Sequence, residues 1–160
     1  MINLANLIEK LLKHDVDFVI VGGFAAVAHG ATTLTQDVDI CCDFSTDNLL
    51  RLNHALADIH PVHRMTPQRL PLALTPETCR SLSNLYLDTD MGQLDCLNSV
   101  MGVGHYDQVR RSSCQITLPG GPCQVLDLDA LIESKKAMNR PRDLEAVLQL
   151  ETIRDRIKRH

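Results

Sequence analysis

VGGFAAVAHGATTLTQDVDI, residues 21–40, is the stretch on which the reading of this chain turns. It is entered from Asp17-Phe18-Val19-Ile20, and the apolar, branched run through Val21 reads as a short buried strand. Gly22-Gly23 cuts that strand off, and the small-residue run from Phe24 to His29 suits a helix that Gly30 ends. The loop Ala31 to Gln36 then leads into Asp37-Val38-Asp39-Ile40-Cys41-Cys42. Strand alternation puts Asp37, Asp39 and Cys41 on one face and Val38, Ile40 and Cys42 on the other, so two carboxylates project together.

That order of elements has a chemical meaning. Glycines at a strand end let backbone approach a ligand closely, and the amides that open the next helix carry partial positive charge, a natural seat for phosphate. Paired carboxylates on one strand face are hard oxygen ligands suited to Mg2+, which keeps phosphate oxygens and water in its remaining positions. With two ions, the attacking and leaving oxygens of a phosphoryl-type transfer are both stabilised. The glycine loop ending in Gly-Lys and Ser or Thr, the usual ATPase signature, is absent.

Working outward, Leu4, Leu7, Ile8, Leu11 and Leu12 fall at helical spacing and predict an opening amphipathic helix. Ser45 or Thr46 is placed to cap a helix through Leu49, Leu50, Leu52 and Leu56. Prolines at 61, 67, 71 and 76 fragment residues 60–78 into irregular chain with short helical turns, a segment able to line a cleft. NLYLDT (84–89) and QLDCLN (93–98) read as a hairpin turning near Asp90 to Gly92, with Gln93, Asp95 and Leu97 alternating against Leu94 and Cys96. A second hairpin, CQITL and CQVL, is signalled by Pro119-Gly120-Gly121-Pro122 between its strands. Asp127 to Met138 reads as a helix, and Pro141 sits where proline opens a last one carrying Leu144, Val147, Leu148, Ile153 and Ile157. The expected fold is mixed α/β (α+β): a short, mixed, twisted sheet flanked by helices. Residues 1–160 are expected to form a single domain in which 141–160 pack as a C-terminal helix.

Composition narrows the partners. At 160 residues and 44% hydrophobic content the chain has the apolar surface for one core. A net charge of -4 argues against a broad electrostatic grip on duplex nucleic acid. No apolar run approaches the ~20 residues that span a bilayer, and Met1 to Lys13 lacks a signal-peptide pattern, so a cytoplasmic protein without membrane contact is expected. The six cysteines form no Cys-x-x-Cys and read as buried free thiols. His54, His60 and His63 are interrupted by Pro61 and read as a solvated loop, not a metal site.

Gly22-Gly23, thirteen further residues and then acidic, apolar, acidic, apolar resemble the signature of the polymerase-beta-like nucleotidyltransferases. DTDMGQLDCL (88–97) offers Asp95 where that family takes a third carboxylate from a later strand after a glycine turn. LIESKKAMNRPRDLEAV (131–147) is similar to the lysine-bearing helix and basic-acidic helix start of minimal bacterial members, the abortive-infection and toxin-like types. The resemblance covers most of the chain. It implies transfer of a nucleoside monophosphate from an NTP to an acceptor, such as tRNA, a protein or a small molecule, with release of pyrophosphate. Asp37 and Asp39 would hold Mg2+ on the triphosphate. Asp95 would share a second ion and help to deprotonate the acceptor, and Gly22, Gly23, Thr35, Lys135 and Lys136 would bind the nucleotide. The chain departs from the pattern at Thr33, where many relatives have an arginine two residues before the threonine. Lys135, Lys136, Arg140 or Arg142 could supply that phosphate contact instead. The alternative implied is a noncatalytic nucleotide-binding module, or one that meets an antitoxin protein, on the same fold.

Overall fold

Each hydrophobic pattern closes into an element in the computed structural model, which describes residues 3–159. In chain order these are α1 (Leu4–Lys13), β1 (Phe18–Val21), α2 (Gly22–Ala28), β2 (Asp37–Cys42), α3 (Thr46–Leu56), a 3-10 turn (Ala57–Ile59), β3 (Val62–His63) and α4 (Pro76–Cys79). They continue with β4 (Asn84–Thr89), β5 (Gly92–Leu97), β6 (Ser99–Val100), β7 (Gly104–His105), α5 (Tyr106–Arg111), β8 (Ser113–Leu118), β9 (Gly121–Leu126), α6 (Leu128–Met138) and α7 (Pro141–Lys158). Seven strands make one sheet in the order β3-β4-β5-β2-β1-β9-β8, and β6 and β7 pair separately.

The sheet is mixed because of how its centre is wired. β1 runs antiparallel to β2, β2 parallel to β5, and β1 parallel to β9. The two sequence-signalled hairpins, β4-β5 and β8-β9, extend it on either side of this centre. β1 is buried along its whole length, as a four-residue run without a polar side chain must be. Val38, Ile40, Leu94 and Cys96 are fully buried, while their alternates Asp37, Asp39, Gln93 and Asp95 stay half-open. The core beneath the apolar face draws Leu7, Ile8 and Leu11 from α1 and Leu49, Leu52 and Leu56 from α3.

One buried polar side chain fixes α3 against the strands. Asn48 has no exposed surface, donates to the Asp17 and Asp43 carbonyls at 3.0 and 2.7 Å, and accepts from the Asp17 amide at 2.7 Å. It thereby satisfies main-chain groups just before β1 and just after β2, which otherwise lose solvent without compensation.

Three details differ from the expected pattern. Residues 60–78 do lead into the short helix α4, capped by Thr75 with Pro76 at its first turn, but they also supply the edge strand β3. Residues 98–112, which carry little periodicity, form the β6-β7 hairpin and α5; positive φ at Gly102 and Gly104 makes that turn possible. In α7, Asp143, Val147 and Leu150 face inward, whereas Leu144, Leu148 and Ile157 are exposed.

Replacing Asn48 with alanine leaves the Asp17 amide and the Asp43 carbonyl without partners, at about 1 kcal/mol or more each, while the Asp17 carbonyl keeps the Asp43 amide at 3.3 Å, so urea unfolding should show a loss of about 2 kcal/mol. A loss under about 1 kcal/mol would mean that water substitutes for the side chain.

Candidate functional site

The site is an outcome of strand register. Val21 of β1 lies opposite Asp39 of β2, Asp39 lies opposite Asp95 of β5, and Asp95 opposite Tyr86 of β4. The chain therefore leaves β1 and enters α2 at the place where the carboxylates stand. Gly22 has φ +68°, and a Cβ there would lie 2.9 Å from the Asp39 Cβ, so neither the backbone nor the space accepts a side chain. Gly23 is different: its added Cβ would meet only Thr35 Oγ1 at 3.4 Å and Thr35 Cβ at 3.7 Å.

Thr35 organises the approach to β2. Its hydroxyl donates to the Asp37 carbonyl at 2.9 Å and sits 3.3 Å from Asp37 Oδ1. Ligand oxygens of Asp37, Asp39 and Asp95 all lie within 4.8 Å of one another, the one such group of three His, Cys, Asp or Glu residues among the described residues. All-oxygen carboxylate donors at this spacing fit a hard divalent cation such as Mg2+.

The electrostatics of the cluster point the same way. Burial, then the charges of Asp37 and Asp95, push the Asp39 carboxyl up from 3.8 to about 7, against the opposing pull of Lys135 and Arg64. Burial also raises Asp95, opposed by its hydrogen bond and charge attraction to Arg64. Nearby positive charge is thus too little to keep all three carboxyls at ordinary values, a deficit that a divalent ion would remove.

Lys135 projects from α6 and is held by a buried carboxylate. Its Nζ is 3.9 Å from Asp143 Oδ1, and Asp143 is 1% exposed. Arg140 grips Asp143 as a fork, with Nε donating to Oδ2 at 2.5 Å and Nη2 to Oδ1 at 3.1 Å. Burial pushes Asp143 up, but these hydrogen bonds and the Lys135 charge outweigh it, and the carboxyl ends below its ordinary value. Burial lowers Lys135, opposed by Asp143 and Asp39. Lys136 instead meets Glu151 of α7 at 3.9 Å, and no ion pair or hydrogen bond joins it to the three aspartates among the described residues. Arg140, at the start of α7, grips Asp143, and Lys135 is the basic group of α6 whose charge Asp39 feels.

Two participants lie outside the site residues expected from the sequence. Arg64, from the irregular segment after β3, donates through Nη2 to Asp95 Oδ1. Asp143 belongs to the basic-acidic helix start within residues 131–147, and its burial beneath Arg140 and Lys135 gives it a part of its own. The Pro67 and Pro71 segment hid the first; the second stood within that helix-start motif, but only the packing shows what it holds. His29 caps the end of α2, its Nε2 paired with the Leu126 carbonyl at 2.8 Å. His60 pairs with Asp90 at 2.6 Å, outside any metal-type cluster. All six cysteines are unbridged, and burial pushes the Cys41 and Cys123 thiols up to about 12 and about 11, where they are inert.

With this geometry in hand, solved structures supply the comparison. ANT(2'')-Ia, solved in complex with adenylyl-2''-tobramycin, matches at a TM-score of 0.56 with 15% identity, over 97% of each chain. A candidate nucleotidyltransferase from Thermotoga maritima matches at 0.56 and 14% identity, over 100% of this chain and 97% of that one. An antigenic nucleotidyltransferase-like protein from Paracoccidioides brasiliensis matches at 0.58 and 13% identity, over 91% and 72%. The chain has the nucleotidyltransferase fold. No protein-family model and no curated protein sequence matches it. Among the described residues no helix is long and apolar enough to cross a membrane.

Two outcomes follow from the site geometry. Gly22→Ala should unfold at lower denaturant than Gly23→Ala, by about 1 to 3 kcal/mol, because only the first meets left-handed backbone and a packed carboxylate; equal losses would contradict the register described. The second concerns pH. Asp39 binds its proton more tightly folded than unfolded, so its contribution to stability is full below 3.8 and lost as pH rises to about 7. In EDTA, Asp39→Asn should show a shallower fall in urea midpoint over that window than the parent chain, and parallel curves would remove Asp39 as the strained carboxyl.

Proposed function

We propose that the chain is a Mg2+-dependent nucleotidyltransferase that moves a nucleoside monophosphate from an NTP to an acceptor hydroxyl and releases pyrophosphate. The observation that carries this reading is the grouping of Asp37, Asp39 and Asp95 within 4.8 Å beside the left-handed Gly22 turn. In the transfer, the acceptor oxygen forms its bond to the α-phosphorus, the bond to pyrophosphate breaks, and the acceptor proton leaves.

Asp37 and Asp39 would hold the ion on the triphosphate, and Asp95 with Asp39 would hold a second. Bound there, Mg2+ would neutralise phosphate charge and make the acceptor hydroxyl more acidic. Thr35 keeps the Asp37 backbone and carboxylate in place. Gly23, with no side chain at the opening of α2, gives phosphate access to backbone amides. Lys135, held in place by Asp143, is the cation for the triphosphate. Asp95 takes the acceptor proton on the side away from the Gly22-Gly23 turn, because β5 lies on the other side of β2 from β1.

The acceptor is best sought among hydroxyl-bearing small molecules. ANT(2'')-Ia, similar in fold, is an antibiotic-resistance factor solved with an adenylylated aminoglycoside, adenylyl-2''-tobramycin. The net charge of -4 offers little general attraction for tRNA. A noncatalytic nucleotide-binding module is the competing reading, favoured by the ion pair between Arg64 and Asp95, the carboxylate that the chemistry needs.

The test is pyrophosphate release with each of the four NTPs against a panel of hydroxyl acceptors. Asp95→Asn should lower turnover at least about 100-fold while NTP affinity stays within about threefold, the signature of a group acting on the chemical step. Asp37→Asn should instead abolish the Mg2+-dependent part of NTP binding by calorimetry. Mg2+-dependent NTP binding without pyrophosphate release from any acceptor would favour the binding module.

A further inference from the structure

Two arginine–aspartate pairs near the site are built in opposite ways. Arg140 holds Asp143 through two parallel hydrogen bonds on a carboxylate that is 1% exposed, the geometry of a permanent strut. Arg64 touches Asp95 through Nη2 alone. Its Nε is buried without a hydrogen-bond partner and lies 3.9 Å from Asp88, which Arg69 already engages at 2.5 Å. Its Nη1 finds only the Met65 sulfur, at 3.6 Å. The guanidinium sits 5.9 Å from the centre of the Tyr86 ring, which orients it without using its donors.

The backbone around Arg64 is fixed while its side chain is underused. The Arg64 amide donates to the Tyr86 carbonyl at 2.8 Å, the His63 amide to Leu70 at 2.9 Å, and the Leu72 amide to Pro61 at 2.8 Å. This clasp holds the segment beside β4, independently of what the guanidinium touches. A single point of attachment to Asp95, an orphaned Nε and a firm backbone describe a side chain able to leave without unfolding its surroundings.

We propose that Arg64 is an exchangeable counter-ion of Asp95, competing with a divalent cation for that carboxylate and so making occupation of the Asp95 side of the cluster the weak step of metal loading. The inference rests on the nucleotidyltransferase reading of the three aspartates. Guanidinium and divalent ion cannot both neutralise Asp95 at full strength: like charges so close repel, and Coulomb repulsion in a half-buried site exceeds that in water. Arg64 is therefore a positioning residue. It keeps Asp95 ionised and aimed at the cluster, and yields it when a stronger cation arrives. An ion on Asp37 and Asp39 displaces no such contact, since no basic side chain is paired with either carboxylate among the described residues and Lys135 and Arg64 act on Asp39 only at longer range.

The experiment is Mn2+ titration of the full chain with a saturating α,β-methylene triphosphate analogue, followed by calorimetry and by the electron paramagnetic resonance signal of free Mn2+. The parent chain should show a tighter and a weaker step. Arg64→Ala should strengthen the weaker step by roughly fivefold, the gain expected when a partly exposed ion pair no longer has to be broken. The tighter step should stay within about twofold, and Arg64→Lys should resemble the parent. If Arg64→Ala melts too early to titrate, Arg64→Gln, which keeps much of the stem and a polar end without the charge, is read in its place. An unchanged or weakened second step overturns the proposal and makes Arg64 a structural peg. Failure of the underlying reading looks different: the parent would then take up no Mn2+ that Asp37→Asn abolishes.

Discussion

Holding Asp37, Asp39 and Asp95 within 4.8 Å in a half-buried position is unfavourable for the apoprotein, and the rest of the structure is arranged around that cost. Burial and, after it, mutual repulsion are visible in Asp39, whose carboxyl rises to about 7. What stabilises the arrangement lies on the other face of the same strands, where Val38, Ile40, Leu94 and Cys96 are fully buried. Strand alternation makes the two faces inseparable: the register that buries those four side chains is the one that brings the carboxylates together.

The glycine turn answers to the same constraint. Because Val21 lies opposite Asp39, the residue after it must pass next to a carboxylate, and only a residue without a side chain, free to adopt φ +68°, can do so. Gly23 is under no such steric demand, and on the proposed reading its lack of a side chain leaves the start of α2 open to phosphate. The first glycine permits the fold, and the second, on that reading, serves a different purpose.

Much of this was legible in the sequence. Period-two alternation at 37–40 and 93–97 carries the faces, until Cys41 and Cys42 are both buried, and hairpin turns at 90–92 and 119–121 carry the outer pairings. The parallel pairing of β2 with β5 was not legible, since more than fifty residues separate Asp39 from Asp95 and no local pattern specifies which strands become neighbours. Lys135 and Lys136 illustrate the same boundary. Adjacent on a helix, they point about 100° apart, and only the packing of α6 on α7 decides that the first meets Asp143 and the second Glu151. Arg64 lies beyond sequence reasoning altogether, because its segment has no periodicity and is held by a clasp of main-chain hydrogen bonds.

The central claim is that three aspartates from two parallel neighbouring strands form one divalent metal centre for a nucleotide. Crystals grown with Mn2+ and an α,β-methylene triphosphate analogue test it directly through anomalous scattering at the manganese edge. A peak bridged by Asp37 and Asp39, with phosphate oxygens completing its shell beside Gly23, is the predicted result. Triphosphate bound without a peak at these aspartates, or manganese found only at unrelated surface carboxylates, would contradict it.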